Sequence, residues 1–134
     1  MQNINQLEED EIEETQATWK VMIVDDEPAV HDVTRLAIGN VSFQNKKLFF
    51  VDAYSAEEAK RLILEHPDTA LVLLDVVMET DDAGLQVARY IREEAKNHFV
   101  RIVLRTGQPG QAPETEIILN YDINDYKVKV RLSL

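Results

Sequence analysis

No cysteine occurs anywhere in the 134 residues. That excludes disulfide frameworks, zinc ribbons and thiol nucleophiles, and nothing indicates an oxidising compartment. Long apolar runs are missing too: none approaches the roughly 20 residues that span a bilayer, and the N-terminus has no basic region followed by an apolar stretch. The expectation is a soluble, untargeted, cytoplasmic chain with no membrane partner. Basic residues are scarce, 14 Lys and Arg against 25 Asp and Glu, which gives a formal charge of -11. Nucleic-acid binding needs clustered cations to neutralise phosphates, so direct contact with DNA or RNA is not expected. No glycine-rich phosphate loop or dinucleotide fingerprint is present, which makes a nucleotide enzyme remote.

What is present is 45% apolar, enough for one domain with a real core. Six of the acids fall between Glu8 and Glu14, in a polar segment thin in apolar residues. Residues 1–18 therefore read as an acidic, disordered arm, with a single domain over 19–134. An alternative makes Ile4, Leu7 and Ile12 the apolar stripe of a short docking helix.

From Trp19 onward, short apolar runs alternate with helix-like segments, the pattern of an α/β domain with a parallel sheet. Strands are expected at about 20–24, 48–53, 71–74, 102–104 and 126–130. The first helix opens at Pro28 and stops at Gly39-Asn40. The second opens on a capping box, Ser55-Ala56-Glu57-Glu58, and ends before His66-Pro67. A third carries Leu85, Ala88 and Ile91 at helical spacing, and a short fourth follows the loop 107–113 at about 114–120. Tyr126, Val128 and Val130 alternate with Lys127 and Lys129, as an edge strand would. Five strands and four helices leave no fifth helix, so the domain reads as cut after its fifth strand. An uncovered apolar face, open to self-association as a homodimer, is the corresponding expectation.

The strand ends carry the chemistry. Asp75 closes the apolar run 71–74, and Asp25-Asp26 closes 21–24. Bare carboxylates after buried-type strands are costly unless a cation compensates them. In a parallel sheet those ends meet at one rim, where ligands of such sheets bind. This predicts a small, hard, oxygen-liganded metal site around Asp75. Thr106 follows the fourth strand and Lys129 ends the fifth, so four of five strands end in residues able to handle a phosphoryl group. Singly, each has a duller explanation: the Asp pair favours a helix N-terminus, Thr106 is a loop residue, and Lys129 guards an edge strand. His31, His66 and His98 show no metal spacing and read as surface residues.

In conjunction, the segments 24–28, 74–78, 104–107 and 125–129 closely resemble receiver domains of two-component response regulators. The resemblance implies a flavodoxin-like (CheY-like) doubly wound sheet of order 2-1-3-4-5 and a signalling domain rather than an enzyme of separate substrates. It would catalyse its own phosphotransfer and slow autodephosphorylation. It implies phosphorylation of Asp75 by a sensor histidine kinase or phosphotransfer protein. Mg2+, with Mn2+ as a substitute, would be held by Asp25, Asp26, Asp75 and the Val77 carbonyl. Thr106 and Lys129 would bind phosphoryl oxygens, Gly107 would keep the approach open, and Tyr126 would be the switch aromatic. Lys127 competes for the lysine role, but Tyr126 stands three positions before Lys129, as the family requires.

The segment after Asp75 departs from the pattern. Glu79 replaces a usual proline, and the loop to Gly84 is longer and more acidic, which reads as decoration of a solvent-facing loop. Val77 cannot orient an attacking water, implying slow self-hydrolysis. The runs 75–84, 105–110 and 121–126 resemble receivers that precede cyclic-di-nucleotide phosphodiesterase outputs of the HD-GYP type, implying a C-terminal output domain. Two rivals stand beside this reading: a degenerate receiver acting as a phosphorylation-independent interaction module, and an aspartyl-phosphate phosphatase.

Overall fold

Five strands form one parallel sheet: β1 (Thr18–Val24), β2 (Lys47–Ala53), β3 (Thr69–Asp75), β4 (Arg101–Thr106) and β5 (Asp125–Val128). Their order is β2-β1-β3-β4-β5, the flavodoxin-like order. The computed structural model describes residues 18–42, 44–106 and 125–128, with Thr106 and 125–128 described by their backbone alone. The acidic arm up to residue 17, the expected loop and helix at 107–120, and residues 129–134 lie outside the described residues. β1 and β3 both start earlier than their apolar runs suggest. Thr69 is buried at the start of β3 because its N–H and hydroxyl both donate to the His66 carbonyl, at 3.0 and 2.7 Å.

Strand alternation divides the buried residues between two faces. Met22 and Val24 of β1, Val51 and Ala53 of β2, Val72 and Leu74 of β3, and Ile102 and Leu104 of β4 join one apolar cluster. Helix α2 (Ala56–Glu65) covers them with Ala56, Ala59 and Ile63, beside α3 (Ala83–Arg89), which contributes Val87 and Ala88. Ser55 caps α2, its hydroxyl accepting from the Glu58 N–H at 3.1 Å, as the capping-box reading requires. A π-helical turn, Tyr90–Glu94, continues α3 with one extra residue, marked by the Ala95 N–H bonding the Tyr90 carbonyl. The change of phase turns Arg92 inward, where Nη1 donates to the carbonyls of Asn97 and Val100 at 3.0 and 2.6 Å.

The opposite face carries the alternate residues of the strands, among them Ile23, Asp52, Val103 and Arg105. Helix α1 (Pro28–Ile38) lies there, and its buried residues are polar, His31 and Thr34. Pro28 at its first turn starts it without an N–H to satisfy. Val33 and Leu36 point the other way and stand exposed, Leu36 at 84%. Val21 and Ile23 are buried on the α1 side too, but the residues that the helix itself buries there are polar and meet their neighbours through hydrogen bonds. That side leads to the rim where Asp25, Asp26 and Asp75 sit.

Candidate functional site

β1 and β3 are neighbours with Val24 opposite Leu74, so Asp25 and Asp75 leave the sheet side by side. Carboxylate oxygens of Asp25, Asp26 and Asp75 all lie within 4.8 Å of one another. Asp25 is wholly buried, Asp75 is 3% exposed, and Asp26 faces solvent. Asp25 is fixed on several sides. Its N–H extends the β1–β2 ladder to the Ala53 carbonyl at 3.1 Å, and its Oδ1 accepts from the Glu27 N–H at 2.9 Å. The second bond is a local turn of the kind short Asp side chains form, and it delivers the chain into Pro28 and α1.

Asp75 is held through its backbone neighbours. The Val76 N–H donates to the Arg105 carbonyl at 3.1 Å, and the Gly84 N–H donates to the Val76 carbonyl at 2.9 Å. Position 84 must be glycine for this approach: a Cβ there would sit 2.0 Å from the Asp75 carbonyl oxygen. The first turn of α3 thus rests directly on the backbone of Asp75.

Arg105, which sequence reading left without a role, supplies a positive charge beside the acids. It stands opposite Asp75 in the β3–β4 register, so both side chains leave the sheet on the α1 face. Its Nη1 donates to the Thr34 hydroxyl at 3.0 Å, while Nε and Nη2 have no hydrogen-bond partner among the described residues. Burial lowers its pKa from the ordinary guanidinium value, against the attraction of Asp25 and Asp75, which raises it. A guanidinium remains protonated under such a shift, so Arg105 acts on the acids as a fixed cation.

His31 corrects the surface reading. Its ring is wholly buried, Nε2 lies 2.8 Å from the Asp25 carbonyl oxygen, and Nδ1 lies 2.7 Å from Asp52 Oδ1. Arg35 pairs with the other Asp52 oxygen, and Tyr54 stacks on the His31 ring at 4.2 Å between centroids. Burial alone would raise the Asp52 carboxyl, but hydrogen bonds from Arg35 and His31 outweigh it and hold its pKa below the ordinary value. The only sequence signal was position: His31 falls three residues after Pro28, one turn into the helix. His98 is exposed as expected, and His66 is half-buried, with Nδ1 3.2 Å from Lys20 Nζ.

Glu79 is also more than decoration. It is exposed, yet its carboxylate accepts the Ala56 N–H at the start of α2, at 3.0 and 3.2 Å. The longer loop after Asp75 is therefore tied across to α2. Val77 stands half-buried in that loop. Thr106 closes β4 opposite Val128, and Tyr126 lies opposite Leu104. Gly107 and Lys129 lie outside the described residues.

The donors brought together at the rim are all hard carboxylate oxygens, two of the three acids being buried. That set fits a divalent cation such as Mg2+, which uses a few carboxylates and keeps water ligands. No helix among the described residues is long and apolar enough to cross a membrane.

Comparison with known proteins agrees with this arrangement. The family model for the response regulator receiver domain matches residues 21–130. A 3'3'-cGAMP-specific phosphodiesterase 2 of Vibrio cholerae serotype O1 is 50% identical over 119 residues, 89% of this chain. The chain spans only 23% of that relative's length. Among solved structures, the CheX-CheY-BeF3-Mg complex from Borrelia burgdorferi is similar at 25% identity and a TM-score of 0.65, covering 84% of this chain and 79% of that one. A signal receiver domain of an HD domain-containing protein from Pseudomonas fluorescens Pf-5 shares the fold at 19% identity and a TM-score of 0.65, over 84% and 82% of the two chains. The family match overlaps every described strand and helix, and the chain belongs to the response regulator receiver domains, a class of signalling domain.

Proposed function

We propose that this domain accepts a phosphoryl group on Asp75 from the phosphohistidine of a sensor kinase or phosphotransfer protein. The observation that carries the reading is the convergence of Asp25, Asp26 and Asp75 within 4.8 Å at the rim where β1 and β3 end. Asp26, Asp25, Asp75 and the Val77 carbonyl would hold Mg2+, which when bound offsets the repulsion between carboxylate and phosphoryl oxygens. Asp75 is assigned as the acceptor because its carboxylate sits at the strand end, where Arg105 and Gly84 bond the backbone of the next residue, Val76, and Gly84 packs on the Asp75 carbonyl. An Asp75 oxygen attacks phosphorus as the phosphorus–nitrogen bond of the donor breaks, and the imidazole leaves with the electron pair. Arg105 keeps positive charge near the reacting oxygens throughout.

Thr106 and Lys129 are assigned to the phosphoryl oxygens, with Gly107 leaving the approach open. Tyr126, on the neighbouring strand, is assigned to the switch that carries the change to an output surface. The similarity to a phosphodiesterase of which this chain spans a small part supports an output domain of cyclic-dinucleotide phosphodiesterase type in the full-length protein. Self-association through an apolar face left uncovered by a missing fifth helix is a further expectation, which sedimentation at high concentration would test.

Incubation with acetyl phosphate and Mg2+, followed by intact mass measurement, tests the central reading. The expected result is a labile single phosphoryl adduct that is absent from Asp75→Asn. Sustained hydrolysis with no adduct would instead identify a phosphatase, and neither adduct nor turnover would identify an interaction module.

A further inference from the structure

We propose that His31 is a positioning residue for the acid cluster. By holding the Asp25 carbonyl, it fixes the direction in which Asp25 and Asp26 present their carboxylates to a divalent cation. The inference rests on the reading of Asp25, Asp26 and Asp75 as a cation-dependent phosphoryl-acceptor site.

The Asp25 carbonyl belongs to the peptide unit that joins Asp25 to Asp26. That unit is planar, so fixing its oxygen fixes the rotation of the whole plane, and with it the relative aim of the two side chains. The N–H of Asp25 bonds Ala53 on β2, and the β1–β2 register ends at Val24 and Ala53, one residue short of this carbonyl. His31 Nε2 takes over at 2.8 Å, from a helix rather than a strand.

The ring cannot turn away. One ring nitrogen faces the Asp25 carbonyl and the other an Asp52 carboxylate oxygen, so both ends of the ring are engaged. Arg35 holds the second oxygen of Asp52, and Tyr54 lies over the ring face. The side chain is wholly buried, so water cannot replace either bond without opening the α1–sheet contact. A buried histidine that merely satisfied a carbonyl would need no second anchor. This one is held by a carboxylate which is itself held by a guanidinium. Mg2+ demands near-ideal geometry, so loosening one peptide plane between two of its carboxylates is costly to binding.

The test is Mg2+ titration calorimetry on the 134-residue chain, comparing wild type, His31→Gln and Arg35→Met, each with a urea unfolding curve. A glutamine amide can donate to the Asp25 carbonyl or to Asp52, not to both. Arg35 is partly exposed, and its replacement leaves the ring in place while freeing Asp52. We expect His31→Gln to weaken Mg2+ binding by about tenfold or more, the range for loss of a partner that orients a metal ligand. Arg35→Met should move it in the same direction by less, and the Asp26 amide resonance should shift in both. Unchanged Mg2+ affinity in folded variants, with only the urea midpoint lowered, would make His31 a structural residue and overturn the proposal. Should His31→Gln fail to fold, Arg35→Met decides alone on the same criterion. A wild-type chain that binds no Mg2+ would sink the phosphoryl-acceptor reading itself, and this inference with it.

Discussion

Replacing Gly84 by alanine would set a methyl carbon 2.0 Å from the Asp75 carbonyl oxygen and 2.8 Å from both the Asp75 carbonyl carbon and the Val76 Cα. Ordinary contact begins at 3.4 Å, so the first turn of α3 must back away from β3 by more than an ångström. The obstacles are all backbone, and no rotamer change relieves them. Overpacking of a well-filled interior costs about 1–3 kcal/mol, and a clash with rigid backbone belongs at the upper end, about 3 kcal/mol. Against this, alanine is intrinsically better than glycine inside a helix by about 1 kcal/mol. The balance is a loss of about 2 kcal/mol, a shift of more than tenfold in the folding equilibrium. With a urea slope of about 1–3 kcal/mol/M, the unfolding midpoint should fall by roughly 1 M. Because the backbone that the methyl presses on is that of Asp75, Mg2+ affinity should fall in the protein that remains folded. An alanine variant as stable as wild type would refute the close-approach account of this glycine.

Glu79→Ala removes the carboxylate from the Ala56 N–H and should cost about 1 kcal/mol, the usual worth of an acidic group bonded at a helix N-terminus. The loss should shrink in high salt, and a urea midpoint identical to wild type at low salt would remove Glu79 from the account of the loop. Asp52 predicts an acid limb. Its folded pKa is depressed, so its contribution is complete above the unfolded value of about 3.9 and is lost as pH falls through the folded value. Asp52→Asn should therefore destabilise the chain near neutrality and flatten the fall in urea midpoint below about pH 4. Parallel pH profiles for variant and wild type would contradict the Arg35 and His31 bonding.

The sheet was legible because each buried strand is a continuous apolar run, and the acids were legible because they interrupt such runs at their ends. Ser55 was legible as a cap because its partner, Glu58, is three residues away. His31, Arg105 and Glu79 were not, for a common reason. Their partners, Asp52, Thr34 and Ala56, lie 21, 71 and 23 residues distant and meet them only once the strands are paired. The π-helical turn escaped notice because Leu85, Ala88 and Ile91 fit an uninterrupted helix equally well. Its signature is an inward Arg92, which needs the Asn97 and Val100 carbonyls to explain it.

The polar underside of α1 bears on how the domain can be altered. One helix touches the ends of three strands: β1 through the Asp25 carbonyl, β2 through Asp52 and β4 through Arg105. Grafting α1 from another receiver would carry away His31, Thr34 and Arg35 while leaving their counterparts behind on the sheet. Positions 31, 34, 35, 52 and 105 therefore form a unit of exchange, to be moved together or not at all.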